Sequence, residues 1–421
     1  MKDDMKLLIV GSGGREHAIA KALLKSSHVA SVFCAPGNIG MEADGIKTIA
    51  INELDFDALK GFVYEEQIDW TFVGPEDALV AGIVDSFEAD GLKIFGPNAK
   101  AAQLEGSKDY AMRFMDTYDI PTARFATFKN SRDAIEGLKN FDAPIVIKAD
   151  GLASGKGVVI SDTKKKAAEQ ISLMFKKGQK QIVIEEFLDG EEYSLFVVVG
   201  KDDYRILPMA QDHKRAYDAD KGPNTGGMGA YSPIPQLSNA DYKRMLAEVV
   251  KPTITGLKEA KLAYRGIIYI GMILTKQGPK VIEYNVRLGD PETQVVLLRV
   301  KNDFAELIDA VVNNYKLPIV TETKQACLGV VIAAQGYPSQ PINNQKIPIF
   351  SKNEIITIDY ANVKGTVENL YGNGGRLLTV IASAATLEKA QSEVYKYLSE
   401  TKLEQCFYRK DIGYRATQKT Y

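Results

Sequence analysis

The first hundred residues alternate short apolar runs with longer mixed stretches, and this alternation restricts the fold more than any other feature. Residues 7–10 form an apolar run that passes through a glycine turn into a helical stretch near residues 16–26. Residues 29–35, 47–49, 70–73 and 93–95 are further apolar runs. Strands alternating with helices predict a doubly wound parallel sheet, so residues 1–105 read as a Rossmann-like α/β domain. Ligands collect at the carboxyl ends of strands in such sheets. That singles out the turn Gly11-Ser12-Gly13-Gly14-Arg15-Glu16 and the turn Gly74-Pro75-Glu76. The first lacks a full dinucleotide fingerprint, because Glu16 stands where the third glycine belongs. It is either a plain strand–helix turn or a phosphate or ribose site at a helix N-terminus, aided by Arg15.

A helix is expected over residues 108–118, ended by Ile120-Pro121-Thr122. Residues 122–190 then read as a small α/β lobe. Within it, Val146-Ile147-Lys148-Ala149-Asp150-Gly151-Leu152-Ala153-Ser154-Gly155-Lys156-Gly157-Val158-Val159-Ile160 sets two apolar strands around a loop with three glycines. Glycine lets backbone N–H groups approach phosphate oxygens. The spacing is not that of a Walker A loop, so the stretch reads as strand–flap–strand over a nucleotide. Lys148 precedes the flap, where it either contacts phosphate or snorkels to the surface. The apolar strand at residues 182–184 runs into Glu185-Glu186-Phe187-Leu188, a hinge suited to an adenine edge and ribose hydroxyls, or simply a solvated acidic turn.

The stretch Val281-Ile282-Glu283-Tyr284-Asn285-Val286-Arg287 puts Glu283 and Asn285 on one strand face. Two hard oxygen ligands with a nearby guanidinium suit Mg²⁺ on nucleotide phosphates, although a strand edge with a surface ion pair has the same pattern. Arg287 can hold a carboxylate or phosphate through paired hydrogen bonds. Residues 191–320 end in a helix over 303–314. A third region begins near 325 with a strand at 327–333, is rich in β structure, and carries one helix at 387–399. The expected division is 1–105, 106–322 with the flap lobe at about 122–190, and 323–421.

The formal net charge is −2, which gives no electrostatic case for nucleic acid or membrane binding. Cys34, Cys327 and Cys406 form neither a metal spacing nor a disulfide framework, and the first six residues suit neither a signal peptide nor a membrane span. The expectation is a cytoplasmic monomer acting on small molecules.

A lysine before a glycine flap, an acidic hinge and then Glu-x-Asn resemble, in that order, the ATP-grasp superfamily. Longer strings narrow the resemblance. Gly11-Ser12-Gly13-Gly14-Arg15-Glu16-His17, Ala35-Pro36-Gly37-Asn38, Gln211-Asp212-His213-Lys214-Arg215, Gly222-Pro223-Asn224-Thr225-Gly226-Gly227-Met228-Gly229-Ala230-Tyr231 and Arg287-Leu288-Gly289-Asp290-Pro291-Glu292-Thr293-Gln294 are similar to the glycinamide ribonucleotide synthetase family over nearly the whole chain. The resemblance implies three domains: a pre-ATP-grasp domain, a central ATP-grasp domain with its flap lobe, and a β-rich α+β C-terminal domain. It implies ATP-dependent joining of glycine to 5-phosphoribosylamine through a glycyl phosphate, in purine biosynthesis.

It further implies ATP contacts from Lys108, Lys148, Gly151, Ser154, Gly155, Lys156, Gly157, Glu185, Glu186, Phe187, Leu188 and Glu192, with Lys148 and Arg287 catalytic. Mg²⁺ or Mn²⁺ would sit on Glu283 and Asn285. Substrate contacts would come from Gly13, Gly14, Arg15, Pro36, Gly37, Asn38, Gly74, Pro75, Glu76, Asp212, Lys214, Asn224, Thr225, Gly226, Gly227, Met228, Arg287, Asp290, Pro291 and Glu292. His213 is expected to be a structural hydrogen-bonder. Many ATP-grasp relatives carry another acidic metal ligand on the preceding strand, but Ile270-Gly271-Met272-Ile273-Leu274-Thr275 offers none. Asp290 or Glu292 is an alternative. Competing readings are another ATP-grasp carboxylate–amine ligase and a nucleotide-binding regulatory protein with a degenerate site.

Overall fold

In the computed structural model, residues 1–152 and 157–417 are described. Ser154, Gly155 and Lys156 of the expected flap lie outside the described residues. The first sheet is built from β1 (Met5–Gly11), β2 (Val29–Pro36), β3 (Lys47–Thr48), β4 (Trp70–Val73) and β5 (Ile94–Phe95). All neighbours are parallel, in the order β3-β2-β1-β4-β5. The doubly wound expectation therefore holds. Leu7, Leu8, Ile9 and Val10 are all fully buried, as a central parallel strand covered on both faces requires. Each such side chain contributes about 1.5–3 kcal/mol relative to exposure.

The helix Lys108–Thr117 starts where its cap dictates: Ser107 Oγ accepts from the Tyr110 N–H. Next come β6 (Phe125–Phe128), β7 (Ile145–Ala149), β8 (Val158–Ser161) and β9 (Ile182–Glu186), an antiparallel sheet in the order β6-β9-β7-β8. This lobe has its own small core, in which Ile145, Ile147, Ile182 and Ile184 pack against Ala134, Ala167 and Ile171 of two helices.

The chain continues through β10 (Glu191–Val199), β11 (Tyr204–Ile206), β12 (Gln211–Asp212), β13 (Arg215–Tyr217), β14 (Lys221–Asn224), β15 (Gly229–Ser232), β16 (Gly266–Thr275) and β17 (Gly278–Asn285). A second antiparallel sheet runs β11-β10-β16-β17. It faces the small lobe across a cleft.

The last region contains β18 (Ala326–Ala334), β19 (Lys346–Ile347), β20 (Ile356–Tyr360), β21 (Val363–Thr366), β22 (Asn369–Gly372), β23 (Arg376–Ala384) and β24 (Cys406–Phe407). Its main sheet runs β12-β15-β18-β23-β20, with β24 also on β18. Two strands from the middle of the chain are thus hydrogen-bonded into the C-terminal sheet, which sequence periodicity did not foreshadow. The expected helices near 303–314 and 387–399 are present as Phe304–Val312, capped by Asp303, and Leu387–Glu400. Among the described residues no helix is long and apolar enough to cross a membrane.

Candidate active site

A cleft of about 570 Å³ lies between the small lobe, the β16–β17 hairpin, the ends of the first sheet and the C-terminal region. Val146, Ile160, Phe187, Leu188, Met112 and Ile282 give part of its lining an apolar character. Lys148 points between the lobes. Its Nζ lies 2.8 Å from Glu185 Oε2 and donates to the Ile282 carbonyl at 3.1 Å. Strand pairing explains the pair: Val146 lies opposite Glu185, so Lys148 and Glu185 are diagonal neighbours on adjacent strands. Both are buried, and Glu185 Oε1 has no hydrogen-bond partner. A buried acceptor left open toward a cleft fits a donor on a ligand.

Lys108 sits at the first turn of its helix, where the dipole disfavours a cation. Asp150 compensates by accepting from Ser107 Oγ at 3.1 Å and from the Asp109 N–H at 3.2 Å. Lys108 Nζ donates to the Gly151 carbonyl at 2.8 Å, and burial pulls its pKa below the ordinary lysine value. Gly157 lines the same cleft. The Glu186 carboxylate is engaged by Lys280 Nζ at 3.1 Å and the Arg124 N–H at 3.0 Å.

On β17, Glu283 and Asn285 both line the cleft. Opposite Glu283 is Gly271, next to a bulge, and a Cβ there would crowd the Glu283 Cγ at 3.2 Å. Burial pushes the Glu283 pKa up, but Lys214, Lys148, Lys108 and Arg287 outweigh it and hold it below the ordinary carboxylate value. Lys214 Nζ stands 3.3 Å from Glu192 and 3.8 Å from Glu283. Burial raises the Asp212 pKa to about 7, with Lys214 opposing and Glu292, Glu192 and Glu283 reinforcing.

The two alternative metal ligands are engaged elsewhere. Glu292 Oε1 accepts from Tyr269 at 3.0 Å and Ser194 at 3.2 Å. Asp290 accepts from Gln294 at 3.0 Å and lies 3.4 Å from Arg376. Among the described residues, no group of three or more His, Cys, Asp or Glu is arranged to hold a metal ion. A deprotonated carboxylate plus an amide oxygen, with room beside them, nevertheless fits a hard cation that takes its remaining ligands from phosphates and water.

Arg287 is less free than its sequence context suggested. Its Nε donates to Glu76 at 2.9 Å, its Nη2 to Glu105 at 2.7 Å and its Nη1 to the Leu288 carbonyl at 3.1 Å. Arg287 and Arg15 outweigh burial to bring the Glu76 pKa down to about 2, whereas burial keeps that of Glu105 up at about 7. Arg15 lines the cleft and donates to the Leu288 carbonyl at 3.1 Å.

The glycine turn needs a correction. Glu16 Oε2 accepts from the Gly13 N–H at 2.7 Å, and Arg15 Nε pairs with Glu16 Oε1 at 2.5 Å. The carboxylate of the chain's own Glu16 therefore fills the anion position at this helix start. A Cβ on Gly74 would collide with that same carboxylate.

Several expected substrate residues do not line this cleft: Gly13, Gly14, Pro36, Gly37, Asn38, Gly74, Pro75, Gly227, Met228 and Pro291. Their reasons are structural. Asn38 spends its amide on the Ser12 and Tyr360 carbonyls and accepts from the Gly40 N–H. A Cβ on Gly14 would press on Gln294 at 2.9 Å. Gly227 has φ +116° and packs on Pro291. Met228 is fully buried in the C-terminal core. His213 is buried, accepts from the Gly413 N–H at 3.0 Å through Nε2, and has its pKa lowered by burial. A structural hydrogen-bonder is what it is.

Asn224, Thr225 and Gly226 do line the cleft, as do Glu76, Asp212, Lys214, Asp290 and Glu292. Sequence reasoning missed Glu105, Tyr269, Tyr337, Asn362 and Arg376, which line the same cleft. Arg376 Nη1 donates to the carbonyls of Gly226 at 2.8 Å and Asp290 at 2.6 Å, joining two substrate strings to the C-terminal region. Glu105 carried no signal beyond an acid three residues before Lys108. Arg376 carried none beyond the glycines that precede it.

Comparison with known proteins places this geometry. Sequence models of phosphoribosylglycinamide synthetase match residues 5–105 (N domain), 106–293 (ATP-grasp (A) domain) and 327–415 (C domain). A Streptococcus suis phosphoribosylamine–glycine ligase is 48% identical over 421 residues, spanning 98% of this chain and 100% of that protein. The protein of the same name from Streptococcus pneumoniae is 47% identical over 419 residues, with 98% and 100% covered. The crystal structure of phosphoribosylamine–glycine ligase from Thermotoga maritima superposes with a TM-score of 0.84 at 36% identity, covering 97% of this chain and 100% of that one. A biotin carboxylase from Campylobacter jejuni shares the fold alone, with a TM-score of 0.72 at 15% identity over 96% and 92% of the two chains. With all three domain models matched in order and near-complete coverage at this identity, the chain belongs to the phosphoribosylglycinamide synthetase family.

Proposed function

We propose that the protein joins glycine to 5-phosphoribosylamine at the expense of ATP, giving glycinamide ribonucleotide, ADP and phosphate, as a cytoplasmic enzyme of purine biosynthesis. The single observation that carries this reading is the continuity of the cleft. It runs from the Lys148–Glu185 pair past Glu283 and Asn285 to Arg287, Arg15 and the Asn224–Gly226 turn, so a nucleotide and two small substrates can share one enclosure. In the reaction, a glycine carboxylate oxygen attacks the γ-phosphorus and ADP leaves. The amine then attacks the acyl carbon, loses a proton and expels phosphate.

Such chemistry asks for positioning and charge neutralisation rather than a nucleophilic side chain. Lys148 and Lys108 would hold the phosphates, and Val146, Ile160, Phe187 and Leu188 would sandwich the base. Glu185, with its open acceptor, would take a donor from the nucleotide. Glu283 and Asn285 would hold Mg²⁺ or Mn²⁺, which when bound neutralises charge on the transferring phosphoryl group. Arg287, held rigid by Glu76 and Glu105, would direct its two remaining N–H groups to the glycyl carboxylate. Arg15, Lys214 and the Asn224–Gly226 turn would bind the phosphoribosylamine. Asp212, with a pKa near neutrality, is suited to receive the proton its amine gives up.

Release of inorganic phosphate from ATP is the test. It should require glycine and phosphoribosylamine together. Release that is complete with glycine absent would overturn the reading.

A further inference from the structure

The turn that carries Lys214 and Asn224–Gly226 into the cleft is held from behind by the end of the chain. Side chains alternate at its start: Asp212 and Lys214 face the cleft, while His213 between them is buried on the other side. There His213 Nε2 accepts from the Gly413 N–H at 3.0 Å. At the hairpin tip, Ala219 and Asp220 adopt left-handed backbone, with φ of 57° and 51°. That conformation is uncommon for residues with a side chain and needs support from its surroundings.

The support converges on Asp220. Its Oδ1 accepts from Arg409 at 2.8 Å, and its Oδ2 accepts from Tyr414 at 2.8 Å and Arg415 at 2.5 Å. Arg409 is fully buried and also donates to the Arg215 carbonyl at 3.1 Å. Two backbone contacts close the seam: the Ala219 N–H donates to Asp411 and the Lys410 N–H to Asp218, each at 2.8 Å. None of these groups lines the cleft. Yet Lys214 is one residue from His213, and the Thr225 N–H donates to the Lys214 carbonyl at 2.8 Å. Tension or slack at Asp220 therefore reaches the cleft wall through a short, hydrogen-bonded ribbon.

We propose that residues 407–415 act as a strap, and that Asp220, Arg409 and Arg415 are positioning residues for the amine substrate. The assignment of that substrate rests on the function proposed above. In this arrangement the strap sets where Lys214 and the Asn224–Gly226 turn stand relative to Glu283 and leaves the nucleotide half alone.

The experiment combines steady-state kinetics with hydrogen exchange on Arg415→Ala, Arg415→Lys and Asp220→Asn in the full chain. Removing one charge-assisted hydrogen bond from the hub should raise KM for phosphoribosylamine about tenfold. KM for ATP should stay within about twofold, and Arg415→Lys should recover part of the loss because it keeps the charge. Exchange should rise across residues 213–226 and remain unchanged in β7 and β9. Equal rises in all three KM values, or unchanged exchange over 213–226, would overturn the strap. If Arg415→Ala does not fold, Asp220→Asn and Arg415→Lys carry the same two readouts. A wild-type enzyme that does not use phosphoribosylamine would instead refute the function, with the exchange arm still reporting on the strap.

Discussion

Replacing Lys148 by methionine separates what the buried pair does for folding from what it does for nucleotide. Lys148 and Glu185 are 5% and 4% exposed and 2.8 Å apart, and Glu185 Oε1 already lacks a partner. Lys148→Met leaves that carboxylate buried without its counter-ion. Breaking a buried pair from one side costs about 3–5 kcal/mol, whereas replacing both partners by apolar residues is often neutral or better. Lys148→Met should therefore destabilise the β6–β9 lobe by about 3–5 kcal/mol, and adding Glu185→Leu should recover most of it. Native-state hydrogen exchange of the β7 and β9 amides reads this directly, at about a factor of ten in rate for each 1.4 kcal/mol. ATP affinity should fall in the single and the double variant alike, because both lack the cation. Unchanged exchange in Lys148→Met, or a double variant no more protected than the single, would refute the energetic argument. Restored ATP affinity in the double variant would refute the phosphate role.

Three further outcomes follow from the cleft. Glu283→Gln or Asn285→Ala should abolish turnover at saturating ATP and Mg²⁺ while the thermal unfolding profile is preserved; retained turnover would remove both from the metal site. Arg15→Ala should raise KM for phosphoribosylamine, by at most about 10- to 150-fold for a charge-assisted hydrogen bond of ~1.5–3 kcal/mol, and leave KM for ATP nearly unchanged. The reverse pattern would reassign the glycine turn to nucleotide. The contribution of Glu105 and Asp212 to the stability of the free protein should fall as pH rises from about 5 to about 8, because their folded-state pKa values of about 7 lie above the ordinary carboxylate range. For an acid raised on folding, the stabilisation is present below the unfolded pKa and is lost as pH climbs through the folded one. Glu105→Gln combined with Asp212→Asn should flatten that profile in denaturant titrations, and an unchanged slope would contradict the assignment.

The parts of the fold that announce themselves in sequence are those set by local periodicity and capping. The parallel strands of the first sheet, the Ser107-capped helix and the strand–glycine–strand unit all lie within a residue or two of where spacing places them. Glu283 and Asn285 were legible for the same reason, since two-residue spacing on a strand fixes a shared face. What stayed hidden depends on distant pairing. Nothing near Gln211 or Gly229 indicates that β12 and β15 join β18, and nothing near Arg376 indicates that it reaches Gly226 and Asp290. The glycine turn shows the opposite failure. Its composition advertised an anion site, and an anion is there, but it is Glu16 three residues downstream of Gly13. Arg287 was recognised as a guanidinium near the metal strand, while its partners Glu76 and Glu105 come from segments far away in sequence.

The most direct test of the central claim follows oxygen. In a full reaction with ATP, phosphoribosylamine and glycine labelled with ¹⁸O in both carboxylate oxygens, attack on the γ-phosphorus makes one glycine oxygen the bridge of the acyl phosphate. When the amine displaces phosphate, that oxygen leaves with phosphorus. The account predicts one ¹⁸O per phosphate released, with the other retained in the amide of the product. Unlabelled phosphate would contradict it, because glycine would then not have passed through an acyl phosphate in this cleft.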